Sequence, residues 1–185
     1  STGIAASGGS ISLESIDLLA DNPSYAYLGG GSFNTFKASA VYNSGIFGRS
    51  AVHVKATHQQ TAGYKDYGFN KSDAFTLKND YSSLDFITLN GRHRNGQGWI
   101  GNTMDELAAN PRANGNVKED DDCWLQSINK LNYKIWCDGN TLFNASAFLQ
   151  YQTGWYNMDL DNYMNRMVDP MWGNLTGMRY SYGLT

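Results

Sequence analysis

The side chains best suited to recognition in this chain are aromatic and basic, and they gather where its extended segments give way to long polar stretches. Arg92, His93 and Arg94 are consecutive at the mouth of one such stretch. Guanidinium groups fit carboxylate and phosphate oxygens in a two-pronged fork, so the trio could contact an anion or a ferric chelate. The plainer alternative is a wet basic rim, the usual role of exposed charge. Tyr64, Tyr67, Phe69, Trp99, Trp155, Tyr156 and Trp172 fall in or beside the same polar stretches. Exposed aromatic clusters mark recognition surfaces, against the alternative that loop rings pack on one another. The candidate ligand contacts are therefore Tyr64, Tyr67, Arg92, His93, Arg94, Trp99, Trp155 and Tyr156.

Other chemistry is poorly supported. His53 and His58 lie five residues apart on opposite faces of one extended segment, so they cannot share a metal. The run Glu119-Asp120-Asp121-Asp122 lacks the alternating ligand spacing of a calcium loop and reads as a solvated loop. Asp159, Asp161 and Asp169 invite a glycosidase reading, but no second feature supports it. There is no Ser-His-Asp grouping, P-loop or dinucleotide fingerprint. Gly29-Gly30-Gly31 opens no helix and reads as a turn. The expectation is a protein without catalytic activity, metal or cofactor. A net charge of −3 with 17% charged residues argues against a nucleic-acid partner, which would demand a basic stripe.

The elements that must position these residues are strands. Aromatics make up 14% of the 185 residues, with 20 Gly and 3 Pro, a composition that suits strands and tight turns. Period-2 alternation dominates. Phe36, Ala38, Ala40 and Tyr42 oppose Lys37 and Ser39. Val52, Val54 and Ala56 oppose His53, Lys55 and Thr57. Phe75 and Leu77 oppose Thr76 and Lys78. Leu131, Tyr133 and Ile135 oppose Lys130, Asn132 and Lys134. Phe143, Ala145, Ala147, Leu149 and Tyr151 oppose Asn144, Ser146 and Gln150, with Leu142 and Phe148 as exceptions. Met178, Tyr180, Tyr182 and Leu184 oppose Arg179 and Ser181. Residues 84–91 are extended, but their two faces are not clean and no outward side follows. The best helical segment is short, over 102–110, within a long loop.

Connection lengths carry further information. Short ones fall at 43–48, 79–82 and 137–140, where Cys137-Asp138-Gly139-Asn140 supplies the positive φ angles of a tight hairpin. Long ones fall at 63–71, 94–122 and 154–173. Short and long alternate, apart from an early tight turn at 31–35. Short turns at one end and long loops at the other characterise outer-membrane barrels, whose strands turn apolar residues to lipid and polar residues to the lumen. Tyr42, Tyr64, Tyr133, Trp136, Tyr151 and Trp155 lie near strand ends, where amphipathic rings suit a bilayer boundary. No apolar run reaches the roughly 18 residues of a membrane helix. Cys123 and Cys137 would lie at opposite ends of one strand, too far apart to bridge. A soluble sandwich with one buried face would alternate too.

A family resemblance favours the barrel. Gly3-Ile4-Ala5-Ala6-Ser7-Gly8-Gly9-Ser10-Ile11-Ser12-Leu13 resembles the end of the plug domain in TonB-dependent outer-membrane receptors, where a Gly-rich turn feeds a short strand before the barrel. Gly31-Ser32-Phe33-Asn34-Thr35-Phe36-Lys37 resembles the first outer turn in one branch of them. Thr61-Ala62-Gly63-Tyr64 with Asp66 resembles the start of the next outer loop. Gln97, Trp99, Gly101, Glu106, Leu107 and Asn110-Pro111-Arg112 resemble the long loop after the fifth strand. The hairpin over 122–155 and the return strand over 169–182 continue the series, which is similar to the Bacteroidetes branch. Ser12, Ser7 and Ala62 depart from the usual pattern.

The resemblance implies an all-β fold of antiparallel up-and-down hairpins forming part of a transmembrane β-barrel of about 22 strands with a plugged lumen. Residues 1–20 would end the plug and linker. Residues 21–185 would be N-terminal barrel strands with long extracellular loops. The chain, which opens without a leader, would be a fragment of a receptor in the outer membrane of a Gram-negative bacterium. The implied function is TonB-dependent uptake of a siderophore, haem, cobalamin or oligosaccharide. The implied partners are the TonB complex, reached through the N-terminal part that precedes this segment, the nutrient ligand and outer-membrane lipid. The competing expectations are a soluble carbohydrate-binding β-sandwich and a small closed barrel with a structural or adhesive role.

Overall fold

The computed structural model describes residues 18, 22–98, 100–138, 141–167 and 179–184. It is all-β, with strands β1 (Tyr25–Gly31), β2 (Thr35–Phe47), β3 (Ser50–Thr61), β4 (Asn70–Tyr81) and β5 (Leu84–Gly96), a helix α1 (Met104–Ala109), strands β6 (Asp121–Asp138) and β7 (Thr141–Asp159), a helix α2 (Leu160–Met167) and strand β8 (Arg179–Leu184). The strands form a single antiparallel sheet in sequence order. Each pairs with the strands before and after it. Among the described residues β1 and β8 do not pair with each other, and no second sheet packs on the first.

The connections alternate as the sequence suggests. At one end, β2 and β3 are joined by Gly48 and Arg49, and β4 and β5 by Ser82 and Ser83. Gly48 has φ +61°, as the first central residue of a type II′ turn requires. Ser82 adopts φ 55° in the equivalent place. It is held by its amide to the Arg49 carbonyl (2.9 Å) and by Arg49 Nη2 to its hydroxyl (3.2 Å). The β6–β7 turn, read from Asp138-Gly139, lies in part outside the described residues, but Asp138 pairs with Thr141. At the other end stand the tight turn at Ser32, Phe33 and Asn34 and the longer segments 62–69, 97–120 and the one that opens with α2.

Three sequence expectations shift. Gly29, Gly30 and Gly31 are strand, not turn: they close β1, paired with Lys37, Phe36 and Thr35, and the Tyr27 ring covers Gly29. The first short connection is later than 43–48, because β2 runs on through a bulge. Ser44 and Gly45 (φ +65°) stand opposite Val52, whose amide donates to the Ser44 hydroxyl at 2.8 Å. The last long connection does not begin at 154, since β7 continues to Asp159.

Register assigns every side chain to a face. One row across the sheet reads Tyr42, Val54, Leu77, Thr88, Asn129, Leu149, and neighbouring rows on that face add Ala40, Ala56, Phe75, Phe86, Leu131 and Ala147. The opposite face carries Asn43, His53, Lys78, Ile87, Lys130 and Phe148 in one row. Residues of this second face, from Tyr25 on β1 to Lys134 on β6, line one open cavity of about 1330 Å³, so the sheet is curled with this face concave. Lys78 pairs with Asp80 (3.8 Å) and Lys134 with Asp85 (3.1 Å) on it. The convex face carries most of the exposed large apolar side chains, including Phe36, Tyr42, Phe75, Leu131, Phe143 and Leu149. Residues 84–91 now have an outward side: Leu84, Phe86, Thr88 and Asn90 are convex. The polar pair in that list is what blurred the alternation. Thr88 accepts from Asn90 Nδ2 at 2.9 Å.

Buried apolar side chains are few among the described residues: Leu18, Val41, Ala51, Ile100 and Cys123. Cys123 is free and buried. Cys137 lies fourteen positions further along β6, a span of roughly 46 Å at the usual strand rise.

Candidate functional site

The loop end is built by side chains from three connections. Phe33 and Asn34 both sit at positive φ, 59° and 55°, which is uncommon for a bulky ring. The tight turn is closed by Thr35 N donating to the Ser32 carbonyl at 3.2 Å. Phe33 then meets Tyr64 edge-on, with ring centroids 5.6 Å apart, and lies under the Arg112 guanidinium at 5.7 Å. Its carbonyl accepts from Ala62 N at 2.7 Å. These contacts offset the strain of the turn.

Segments 62–69 and 97–120 are stitched together at Asp66. Arg112 Nη2 stands 3.5 Å from its carboxylate, and Asn110 Nδ2 donates to it at 3.0 Å. Asp66 N donates to the Arg112 carbonyl at 2.8 Å, and Arg112 Nε to the Tyr64 carbonyl at 2.9 Å. Asn114 Nδ2 bridges the Asp66 and Gln97 carbonyls at 2.8 and 2.9 Å. The Asp66 and Asn110-Pro111-Arg112 stretches, far apart in sequence, thus touch directly. Between them α1 starts with a capping box: Glu106 N donates to Thr103 Oγ1 at 3.2 Å and Thr103 N to Glu106 Oε2 at 2.9 Å.

The acidic run is not a solvated loop. Asp120 is fully buried and Asp121 nearly so, at 0% and 4% exposure. Asp120 accepts from Asn116 Nδ2 (3.0 Å), Val117 N (3.1 Å) and Asp159 N (2.6 Å). Asn116, itself buried, accepts from Ile100 N at 3.0 Å. Asp121 accepts from Arg94 Nε at 2.8 Å and Asn157 Nδ2 at 3.0 Å, and Asp122 from Asn95 Nδ2 at 3.0 Å. The run anchors the long segment to the tops of β5, β6 and β7. Nothing in the sequence marks it, because an acidic run looks the same whether water or amides surround it. Asp159 accepts from Asn162 N at 3.0 Å and so caps α2; it belongs to this framework.

The candidate contacts do not share one surface. The long loop after β5 begins only at Gln97, because β5 extends to Gly96, so Arg92, His93 and Arg94 lie within a strand. They therefore alternate: Arg92 and Arg94 are convex and His93, opposite Trp124, is concave. Trp155, opposite Cys123, is convex, and Tyr156, opposite Asp122, is concave. Tyr64 and Tyr67 are half-exposed on the 62–69 segment. Trp99 and Trp172 lie outside the described residues. The structure brings together Tyr67, Arg94 and Trp155. The Arg94 guanidinium lies 5.6 Å from the Trp155 ring centre and 5.7 Å from that of Phe69. Beside it is a cavity of about 450 Å³ lined by Tyr67, Phe69, Lys71, Arg94, Lys118 and Asp121, among others. Lys71 and Lys118 were not among the sequence candidates, since lone lysines carry no spacing signal.

His53 and His58 are on opposite faces, as their spacing requires. His53 Nδ1 is 2.6 Å from Asn43 Oδ1 on the concave side, and His58 Nδ1 is 2.7 Å from Asp73 Oδ1 on the convex side. Among the described residues no group of His, Cys, Asp and Glu is arranged to hold a metal ion. No helix among them is long and apolar enough to cross a membrane, which leaves strands untouched as membrane elements. No protein-family profile matches this chain, nor does any curated protein or solved structure.

Proposed function

We propose that this chain is part of a TonB-dependent outer-membrane receptor, supplying consecutive early strands of its β-barrel. The receptor takes up a scarce nutrient, a siderophore, haem, cobalamin or oligosaccharide, across the outer membrane of a Gram-negative bacterium. One observation carries the reading: the bare convex face holds most of the exposed large apolar side chains, whereas the face that lines the cavity is mixed, with Lys55, Lys78, Lys130, Lys134, Asp80 and Asp85 set among Ile87, Leu89 and Ile128. A sheet in water does the reverse, covering its apolar face. Lipid outside and water inside call for the arrangement seen here.

Three further features support it. Strands β2 to β7 each have 12 or more residues, enough for the roughly 9–11 that a tilted strand needs to cross. Short turns at one end oppose long connections at the other. Among the described residues the outer edges of β1 and β8 are unpaired, and because unpaired edges are costly in lipid they fit a larger barrel in which further strands pair with them. The stitched loop end is where the nutrient would first meet the receptor, and the TonB complex would supply the energy for import. The role is transport, not catalysis. Fractionating cells that make the protein on a density gradient tests this. We expect it in the outer-membrane fraction, resistant to carbonate washing and faster in electrophoresis before boiling than after. Recovery in the soluble fraction after lysis would overturn the reading.

A further inference from the structure

We infer that the cavity beside Arg94 is a binding site for the phosphate headgroup of an anionic lipid, seated at the upper border of the convex apolar face. The inference rests on the reading of that face as lipid-facing. Register puts Gln60, Lys71, Arg94, Cys123 and Trp155 in one convex row. The next rows down β4 on the same face hold Asp73, then Phe75 and Leu77, so basic side chains stand directly above apolar ones. A lipid headgroup above acyl chains has the same order.

The charges fit a phosphate. Lys71, Arg94 and Lys118 line the cavity with a single carboxylate, Asp121. Asp121 is buried and holds Arg94 through its Nε and Nη2. That contact fixes the guanidinium plane against Phe69 and Trp155. Lys71 and Lys118 are exposed, and neither makes an ion pair with a described residue. One row below, Arg92 faces the same side across from Asp73, whose carboxylate is taken by His58. Four cations thus meet two carboxylates, both already engaged. A tetrahedral anion accepts from a fixed guanidinium and two mobile ammonium groups without displacing a native pair. Tyr67 and Phe69 give the cavity an apolar wall, suited to the glycerol or sugar that carries the phosphate.

The test uses the protein in nonionic detergent, titrated with phosphatidic acid, with phosphatidylcholine of the same chains, and with inorganic phosphate. Bound lipid is read by native mass spectrometry. Phosphatidic acid is expected to bind in clear preference to phosphatidylcholine. Changing Lys71→Gln and Lys118→Gln together should weaken it about thirtyfold, on the order expected for two interfacial cations. Lys71→Arg with Lys118→Arg should keep the preference, which guards against a folding defect. Equal binding of both lipids by the wild type, or no effect of the glutamine pair, would overturn the site. Inorganic phosphate competing as well as phosphatidic acid would overturn the lipid source and leave a soluble anion. If neither lipid binds at all, it is the lipid-facing reading that fails.

Discussion

The two ends of the sheet are held by different physics. At the turn end the chain reverses in two residues, and backbone geometry does the work: Gly48 and Ser82 at positive φ, linked by two hydrogen bonds through Arg49. At the loop end, the segments 62–69 and 97–120 are held together by side chains reaching across 40 or more positions, such as Asn110 and Asn114 to Asp66. Local geometry makes a connection stiff and anonymous. Long-range side-chain bonding makes it shaped, and it leaves Tyr64, Tyr67 and the Lys71 cavity in defined places on an exposed surface.

Substitutions can break that contrast. The largest effect belongs to Asp120→Ala, which strips three donors of a buried acceptor and should cost about 3 kcal/mol or more. Hydrogen exchange would show the amides of 97–120 losing protection while Gly48 and Ser82 keep theirs. Gly154→Val comes next. A Cβ at Gly154 would meet the Trp124 ring and the Cys123 carbonyl, so overpacking of about 2 kcal/mol should lower the denaturant midpoint of the protein in detergent. Arg112→Lys should loosen 62–69 by roughly 1 kcal/mol, since a lysine keeps the charge but cannot reach the Tyr64 carbonyl, Asp66 and the Phe33 ring together. Limited proteolysis within 62–69 would report it. Gly48→Ala should be smallest and confined to the turn end, about 1 kcal/mol for an L-residue in the left-handed region. If Gly48→Ala instead exposed 97–120 to exchange, the two ends would not be independent.

What the sequence made legible follows the same division. Alternation placed β2, β3, β4, β6, β7 and β8, because a curled sheet with unlike faces imposes period 2 on a strand; it missed the end of β1, which closes on three glycines with no side chains to alternate. It failed over 84–91 because Thr88 and Asn90 interrupt an apolar face, and their neighbours Ser127 and Asn129 continue the interruption onto β6. The Arg92-His93-Arg94 trio was legible in part. Once β5 is extended to Gly96, three consecutive residues cannot share a surface, and the trio divides between two faces. The framework role of Asp120 and the presence of Lys71 and Lys118 beside Arg94 were not legible, since both depend on segments brought together only by folding.

Which face meets lipid is measured most directly with spin labels. With Cys123 and Cys137 changed to serine, single cysteines at Ala40, Leu77 and Ala147 on the convex face, and at Thr76 and Ser146 on the concave face, would carry the label in reconstituted bilayers. The expected result is that convex labels are relaxed by oxygen and shielded from a water-soluble nickel chelate, with the concave labels reversed. Equal access of the chelate to both sets, or shielding of the concave set alone, would contradict a barrel wall with its apolar face in the membrane.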